Sequence, residues 1–424
     1  MDLKSGRPFW AVRSGLIQSY PKLESSTQAD VVVLGAGITG ALIADRLAQA
    51  GLQVVVLDRR DVGTGSTSAS TALLQYEIDT HLTELIGRYG TELGVLAYRA
   101  CLEAIGTVEQ IDKSLGSPGQ FQLRPSFYFA KQASELPELV AEYECRLQHD
   151  FPVSYWDQSH LEQRFDFSAY GGIYSSVAGQ VDPYRLAHAL LRRVTEAGGA
   201  IFDRTEVVDI EGEPGSFSLK IENGLALQAK TVVVAMGYES LQFCPQPVAK
   251  LQSTYAFVSQ PLEDFPGWHE RCLIWEMARP YLYLRTTDDN RLLAGGGDLP
   301  FRNATARDVL LEQKTEETAE RVREMFPRIP FQVDFSWAGT FAETEDGLPF
   351  IGVHPDRPGV QFAMCYGGNG ITYSVIAAEM IASAVNGRAH PLQKLFGFER
   401  LLQQQKPSTI GKMLAGLNHL RAVF

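Results

Sequence analysis

Three clusters of glycine and hydroxyl residues carry the most specific chemistry in this chain. The first is Gly35-Ala36-Gly37-Ile38-Thr39-Gly40, set between the apolar run Val31–Leu34 and a segment with helical spacing through Leu42, Ile43, Leu47 and Ala50. Gly35 permits a tight turn, Gly37 lets backbone approach a pyrophosphate, and Gly40 allows close helix–strand packing. A helix opening at Ile38 and Thr39 would offer unpaired N–H groups and a positive dipole end to phosphate. Asp58 closes the next apolar run, Val54–Leu57, eighteen residues past Gly40, with Arg59 beside it. At that distance an acid is placed to accept both ribose hydroxyls of a dinucleotide.

The second cluster, Gly63 to Thr71, follows directly. Its Ser66, Thr67, Ala69, Ser70 and Thr71 can continue along the pyrophosphate toward a flavin. The third, Tyr366-Gly367-Gly368-Asn369-Gly370-Ile371-Thr372, leads into the last long helical pattern. A helix N-terminus there would face the negative charge of a reduced flavin. Val207 and Gly237, at the ends of neighbouring strand patterns, complete the expected cofactor set. A single fingerprint of this kind fits either NAD or FAD, and the two further clusters favour FAD. Gly295-Gly296-Gly297 opens no helix and reads as a turn or bulge, so a second dinucleotide is not expected.

The elements that position these residues read as strand, glycine turn, helix and strand over 30–60, one βαβ unit. Helical patterns follow near 80–115, 134–149, 184–197, 304–326 and 372–385, and strand patterns near 200–209, 217–221, 231–235, 331–337 and 360–364. Alternation over 250–300 points to an antiparallel sheet. The fold class expected is therefore α/β plus α+β, a Rossmann nucleotide domain interleaved with an antiparallel-sheet domain. Residues 1–29 read as an irregular arm, 30–80, 170–245 and 335–390 as the discontinuous FAD-binding domain, and 81–169 and 246–334 as the substrate domain. Residues 391–424 read as a helical tail.

Composition bounds the rest. At about 150 residues per domain, 424 residues allow two or three domains. A net charge of −12 argues against nucleic acid and anionic lipid as partners. Five scattered cysteines, odd in number and never paired as C-x-x-C, suggest neither a zinc site nor a disulfide framework and fit a reducing, cytoplasmic setting. None of the eight histidines has a partner pattern, and no metal-ligand spacing is present. Membrane association is conceivable only through an amphipathic tail, Ile410 to Phe424.

The ordered set of motifs resembles the D-amino-acid-oxidase-like FAD-dependent oxidoreductases, the family that includes glycine oxidase and monomeric sarcosine oxidase. The resemblance runs through 30–60, 63–74, the strand ending at Gly237, and Trp337 to Gly387, where Thr344-Glu345-Asp346-Gly347-Leu348-Pro349-Phe350-Ile351-Gly352 is similar to the family's T-x-D-x-x-P-x-I-G segment. It implies a glutathione-reductase-type FAD domain beside a sheet that covers the flavin. Three positions depart from the pattern. Phe341 stands where glycine-oxidase-like members carry a carboxylate-binding arginine. Gly339 stands nearest the cysteine that binds FAD covalently in sarcosine-oxidase-like members, so the resemblance implies FAD held without a covalent bond. The oxygen-activating lysine of those oxidases falls near Leu293.

On the substrate side, Tyr281 matches a tyrosine that similar enzymes present to substrate, and Arg285 on the same strand could pair a carboxylate. Gln75, Tyr76 and Glu77 could meet the flavin ring or the substrate amine, and Tyr255, Trp337 and Tyr366 could line the cavity. The expected function is oxidation of a small amine or amino acid by hydride transfer to flavin N5, with the imine then hydrolysed. The flavin is reoxidised by O2 or by a quinone or protein acceptor. Two alternatives stand beside it: an FAD-dependent dehydrogenase of a 2-hydroxy acid or polyol, and an electron-transfer flavoprotein subunit without a substrate of its own.

Overall fold

The computed structural model describes residues 2–401, folded around two sheets. The eight-stranded sheet runs in the order Phe350–Val353, Val360–Met364, Ala226–Val234, Thr27–Leu34, Val54–Leu57, Ala200–Phe202, and a hairpin of Val207–Glu213 and Ser216–Ile221 extends from Ala226–Val234. Its centre is parallel, with Val31 opposite Val54 and Val32 opposite Val232. Successive valines enter different cores: Val31 and Val33 pack with the helices Ile38–Gln49 and Gly370–Val385, while Val32 and Leu34 pack with Phe217, Leu227 and Phe362. Burial on both faces is why these strands read as uninterrupted apolar runs.

The ten-stranded sheet is ordered Lys4–Gly6, Val333–Glu343, Lys250–Ser259, Leu292–Pro300, Leu282–Thr286, Leu273–Glu276, Gln122–Ala130, Gly171–Gln180, Leu73–Leu74, with Val153–Asp157 branching from Gly171–Gln180. Its pairings are antiparallel except for the parallel contact between Leu273–Glu276 and Gln122–Ala130. Gly296 and Gly297 take φ of +143° and +68° inside Leu292–Pro300, opposite a register shift between Ser253 and Tyr255, as expected of a bulge.

The arm is not irregular throughout. Lys4–Gly6 pairs with Val333–Glu343, Phe9–Ser14 is a helix, and the first Rossmann strand begins at Thr27. A three-residue strand carries no pattern of its own and forms only because a sheet edge awaits it. Residues 171–180 and 335–343, placed by chain position with the FAD-binding segments, belong to strands of the ten-stranded sheet instead. The Ser/Thr loop contains one helical turn, Ser66–Ala69, and Gly90, at φ +85°, divides Leu82–Tyr89 from Thr91–Ser114. Among the described residues no helix is long and apolar enough to cross a membrane. The amphipathic segment Ile410 to Phe424 lies outside the described residues.

Candidate functional site

One cleft of about 2220 Å³, its open mouth included, runs from the glycine turn to the ten-stranded sheet. At the turn, Gly35 has φ +107°, and a Cβ on it would sit 2.4 Å from the Ala235 carbonyl oxygen. A Cβ on Gly40 would lie 1.8 Å from the Gly35 oxygen, so the helix Ile38–Gln49 presses directly on the turn. Gly40 is not in the cleft wall; it sets how closely the helix approaches. Gly37 caps that helix, and Ile38 donates its N–H to Thr67 Oγ1 at 2.9 Å, which ties the Ser/Thr loop to the helix start. Gly35, Gly37, Ile38 and Thr39 all line the cleft.

Asp58 accepts the Ala36 N–H at 2.7 Å on one oxygen and the Arg60 N–H at 2.8 Å on the other. Each oxygen keeps a further lone pair, enough for two ribose hydroxyls. Burial raises the Asp58 carboxyl to about 6, against those two N–H groups and the nearby Arg60, which favour the charge. Arg59 lines the cleft with its guanidinium on Glu239, which Arg60 also meets at 2.8 Å. The Ser66 hydroxyl is buried in the cleft wall without a partner, as an acceptor-rich pyrophosphate would require of a donor. An FAD fits this end: donors for phosphate, an acid for ribose, and glycines where backbone must come close.

Three buried side chains grip the Ser/Thr loop from behind. Trp337 donates Nε1–H to the Ala69 carbonyl at 2.8 Å and Trp10 to the Ser70 carbonyl at 2.7 Å. Arg285 donates to the carbonyls of Thr71 and Ala72 at 3.0 and 2.8 Å, with its guanidinium 5.3 Å from the Trp10 ring centre. Ala69, Ser70 and Thr71 are thereby fixed in the cleft wall, together with Val207, Gly237, Gly367, Gly368, Gly370 and Ile371. Asn369 and Thr372 are buried behind the wall, where Asn369 donates to the Gln75 carbonyl and Thr372 to the Asn369 carbonyl.

Several expected substrate residues are corrected here. Arg285 is buried by the carbonyls it holds and lies outside the cleft wall, and burial lowers its pKa to about 9. Tyr76 stacks on Phe151, 5.5 Å between centres, and Tyr255 donates to the Arg307 carbonyl. Tyr366 donates to the Gly237 carbonyl and, like Trp337, shapes the wall without reaching its surface. Gln75, Glu77 and Tyr281 do line the cleft, as do Gly339 and Phe341, whereas Leu293 is buried away from it. As a clamp for the loop, Arg285→Met is expected to lower the unfolding free energy by about 3 kcal/mol, read from denaturant melts, since buried carbonyls lose their donors. A substrate contact would show instead as a raised KM at unchanged stability.

Residues that sequence reasoning missed surround Tyr281. Arg279 lies over the Tyr281 ring at 4.4 Å, and Tyr283 sits 5.8 Å from Tyr281, centre to centre. Asp298 shares this end of the cleft with one buried oxygen unpartnered, and burial raises its carboxyl to about 6. Asp79, His81, Tyr128, Arg146 and Trp275 also line the cleft. The side-chain period of two offered a signal for Tyr283, two positions past Tyr281 on the strand Leu282–Thr286, but none for Arg279, which lies in the turn before the strand.

The family description "FAD dependent oxidoreductase" (DAO) matches residues 30–384 of the chain. A glycine oxidase of Geobacillus kaustophilus is 27% identical over 379 residues, spanning 84% of this chain and 92% of its own. A protein of Haemophilus influenzae named "Probable oxidoreductase OrdL" is 23% identical over 382 residues, 87% of this chain and 85% of its own. The crystal structure of glycine oxidase from Geobacillus kaustophilus matches with a TM-score of 0.74 at 21% identity, covering 87% of this chain and 98% of that one.

Proposed function

Because this chain belongs to the DAO family of FAD-dependent oxidoreductases, we propose that it oxidises a small amino acid or related amine to an imine, which water then hydrolyses. When bound, FAD supplies the hydride acceptor. Gly339 has no side chain through which FAD could be tethered, and acid precipitation is expected to release the flavin. The observation that carries the substrate reading is Arg279, stacked on Tyr281 at the cleft end remote from Asp58. Its planar fork suits a carboxylate bidentately, and it takes over the task that Phe341 cannot perform. Asp298, ionised above about pH 6, accepts a hydrogen bond from the substrate nitrogen. Tyr281 and Tyr283 exclude water around the reacting carbon.

Anaerobic mixing tests the reading. Bleaching of the flavin by amino acids or amines supports it. Bleaching by 2-hydroxy acids or polyols alone would move the protein to that substrate class, and no bleaching by any small reductant would leave an electron-transfer subunit. Oxygen uptake set against dye reduction distinguishes O2 from a quinone or protein as acceptor; among the described residues no lysine lines the cleft.

The ribose contact gives a pH prediction. Apo Asp58 has a raised pKa, so its protonated form favours the fold at low pH and that stabilisation is lost as pH rises through about 6. Ribose hydroxyls donate to the ionised form, so FAD affinity is expected to rise through pH 6 and level off above it. Flavin retained after gel filtration at pH 5 to 8 reports this. A flat profile, or wild-type retention in Asp58→Ala, would refute the assignment.

A further inference from the structure

We propose that Tyr128, His81 and Glu138 form a relay that carries the proton shed by the substrate amine from the cleft to solvent. The proposal deepens the amine reading above and rests on it. Tyr128 and His81 both line the cleft. The Tyr128 hydroxyl is 3.0 Å from His81 Nε2, and His81 Nδ1 is 3.1 Å from Glu138 Oε1. Exposure rises to the far end: the His81 side chain is 13% exposed and that of Glu138 67%.

Separate elements bring the three together. Tyr128 lies on Gln122–Ala130, in register with Trp275, whose strand leads into the turn that carries Arg279 and Tyr281. His81 is the N-cap of Leu82–Tyr89, and Glu138 stands in the first turn of Leu136–Gln148. Their direction follows from chemistry. An ionised carboxylate only accepts, so Nδ1 carries the hydrogen and Nε2 is left to accept from the Tyr128 hydroxyl. The Tyr128 oxygen then keeps a lone pair for a donor in the cleft. Burial lowers the His81 pKa; Glu142, Glu138 and Glu84 oppose this and Arg146 reinforces it, so the ring rests neutral, as an acceptor must.

An amino acid arrives as its ammonium ion, and its Cα hydride cannot leave until the nitrogen has a free lone pair. One substrate N–H proton passes to Tyr128 Oη while the Tyr128 hydroxyl proton passes to His81 Nε2. Tyr128 is unchanged in sum, and His81 becomes an imidazolium held by Glu138. Its Nδ1 proton then leaves through Glu138 to water, which leaves the ring neutral with its hydrogen on Nε2; exchange of the ring protons with solvent between turnovers, one gained at Nδ1 for one lost at Nε2, restores the starting tautomer. The two electrons depart separately with the Cα hydride, to FAD as oxidant.

The test is anaerobic flavin reduction by the holoenzyme over pH 5 to 9, using whichever reductant bleaches the wild type. Proton transfer by a positioned side chain contributes about 10²–10⁴-fold. Tyr128→Phe and His81→Gln, verified as flavin-loaded and of wild-type melting temperature, are therefore expected to reduce about 10²-fold more slowly at pH 7 and to lose the acid limb of the rate profile. Added imidazole should restore much of the rate to His81→Ala. Independently of turnover, NMR titration of His81 should show a lower pKa in Glu138→Gln. An unaltered acid limb in both folded variants, or no rescue by imidazole, overturns the relay. Reduction by hydroxy acids alone would instead overturn the amine reading, and the same variants would still judge the relay on the O–H proton.

Discussion

Gly40→Ala is expected to give a colourless protein with a much lowered melting temperature. The added carbon would sit 1.8 Å from the Gly35 carbonyl oxygen, and both partners are backbone, so no rotamer relieves the clash. Gly35 cannot retreat, because it already lies against the Ala235 carbonyl. The helix Ile38–Gln49 must slide, taking with it the Ile38 N–H that Thr67 accepts and the turn that Asp58 braces through Ala36. Strain of this kind belongs to the rare class of substitutions costing more than about 4 kcal/mol. Gly106→Ala is the control: it lies within Thr91–Ser114, a Cβ there would meet nothing within 4 Å, and alanine favours helix by about 1 kcal/mol. The visible-to-ultraviolet absorbance ratio and a thermal melt measure both. A yellow Gly40→Ala protein with wild-type stability would contradict the packing described.

Arg279→Gln is expected to lower kcat/KM for amino acids about 10²-fold while leaving the flavin bound. Hydrogen bonds to a charged group are worth about 1.5–3 kcal/mol, roughly one to two decades. The loss should fall mainly on KM, since the carboxylate is held alike before and during reaction. An amine without a carboxylate should react equally well with both proteins. Arg279→Lys keeps the charge but not the fork, and should recover only part of the affinity. Equal losses for amines with and without a carboxylate would show that Arg279 acts on something other than the carboxylate.

The contrast between Arg279 and Arg285 shows what the chain made legible. Arg285 shares one face of the strand Leu282–Thr286 with Tyr283, and Arg279 lies in the turn just before it, beside Tyr281. What separates them is the loop at Thr71 and Ala72, which lies over Arg285 and consumes its donors. That loop is more than two hundred residues away in sequence, beyond the reach of periodicity. The glycine turn and the valine strands were readable because burial on both faces and close backbone approach dictate residue type locally. His81, Tyr128 and Glu138 were not, since each is unremarkable alone and meaning arises only where a helix cap, a strand and a second helix meet. Tyr76, Tyr255, Trp337 and Tyr366 look like cavity aromatics, yet their polar tips found backbone or neighbouring hydroxyl partners within the core.

The last long helix, Gly370–Val385, bears on the order of biosynthesis. It covers the first Rossmann helix, with Thr39 and Ser374 hydroxyls 2.8 Å apart and Arg46 paired to Glu379 at 2.9 Å. Val360–Met364 likewise completes the parallel sheet beside Ala226–Val234. At about 5–20 residues per second, a ribosome needs roughly 15 to 65 s to travel from one helix to the other. During that interval the helix Pro183–Glu196 already packs against Ile38–Gln49 and pairs Arg193 with Asp45, but the part that Gly370–Val385 covers stays open and the cleft lacks the wall from Gly367 to Ile371. The flavin site is therefore complete only once the last part of the Rossmann unit, some three hundred residues after its first glycine turn, has been made.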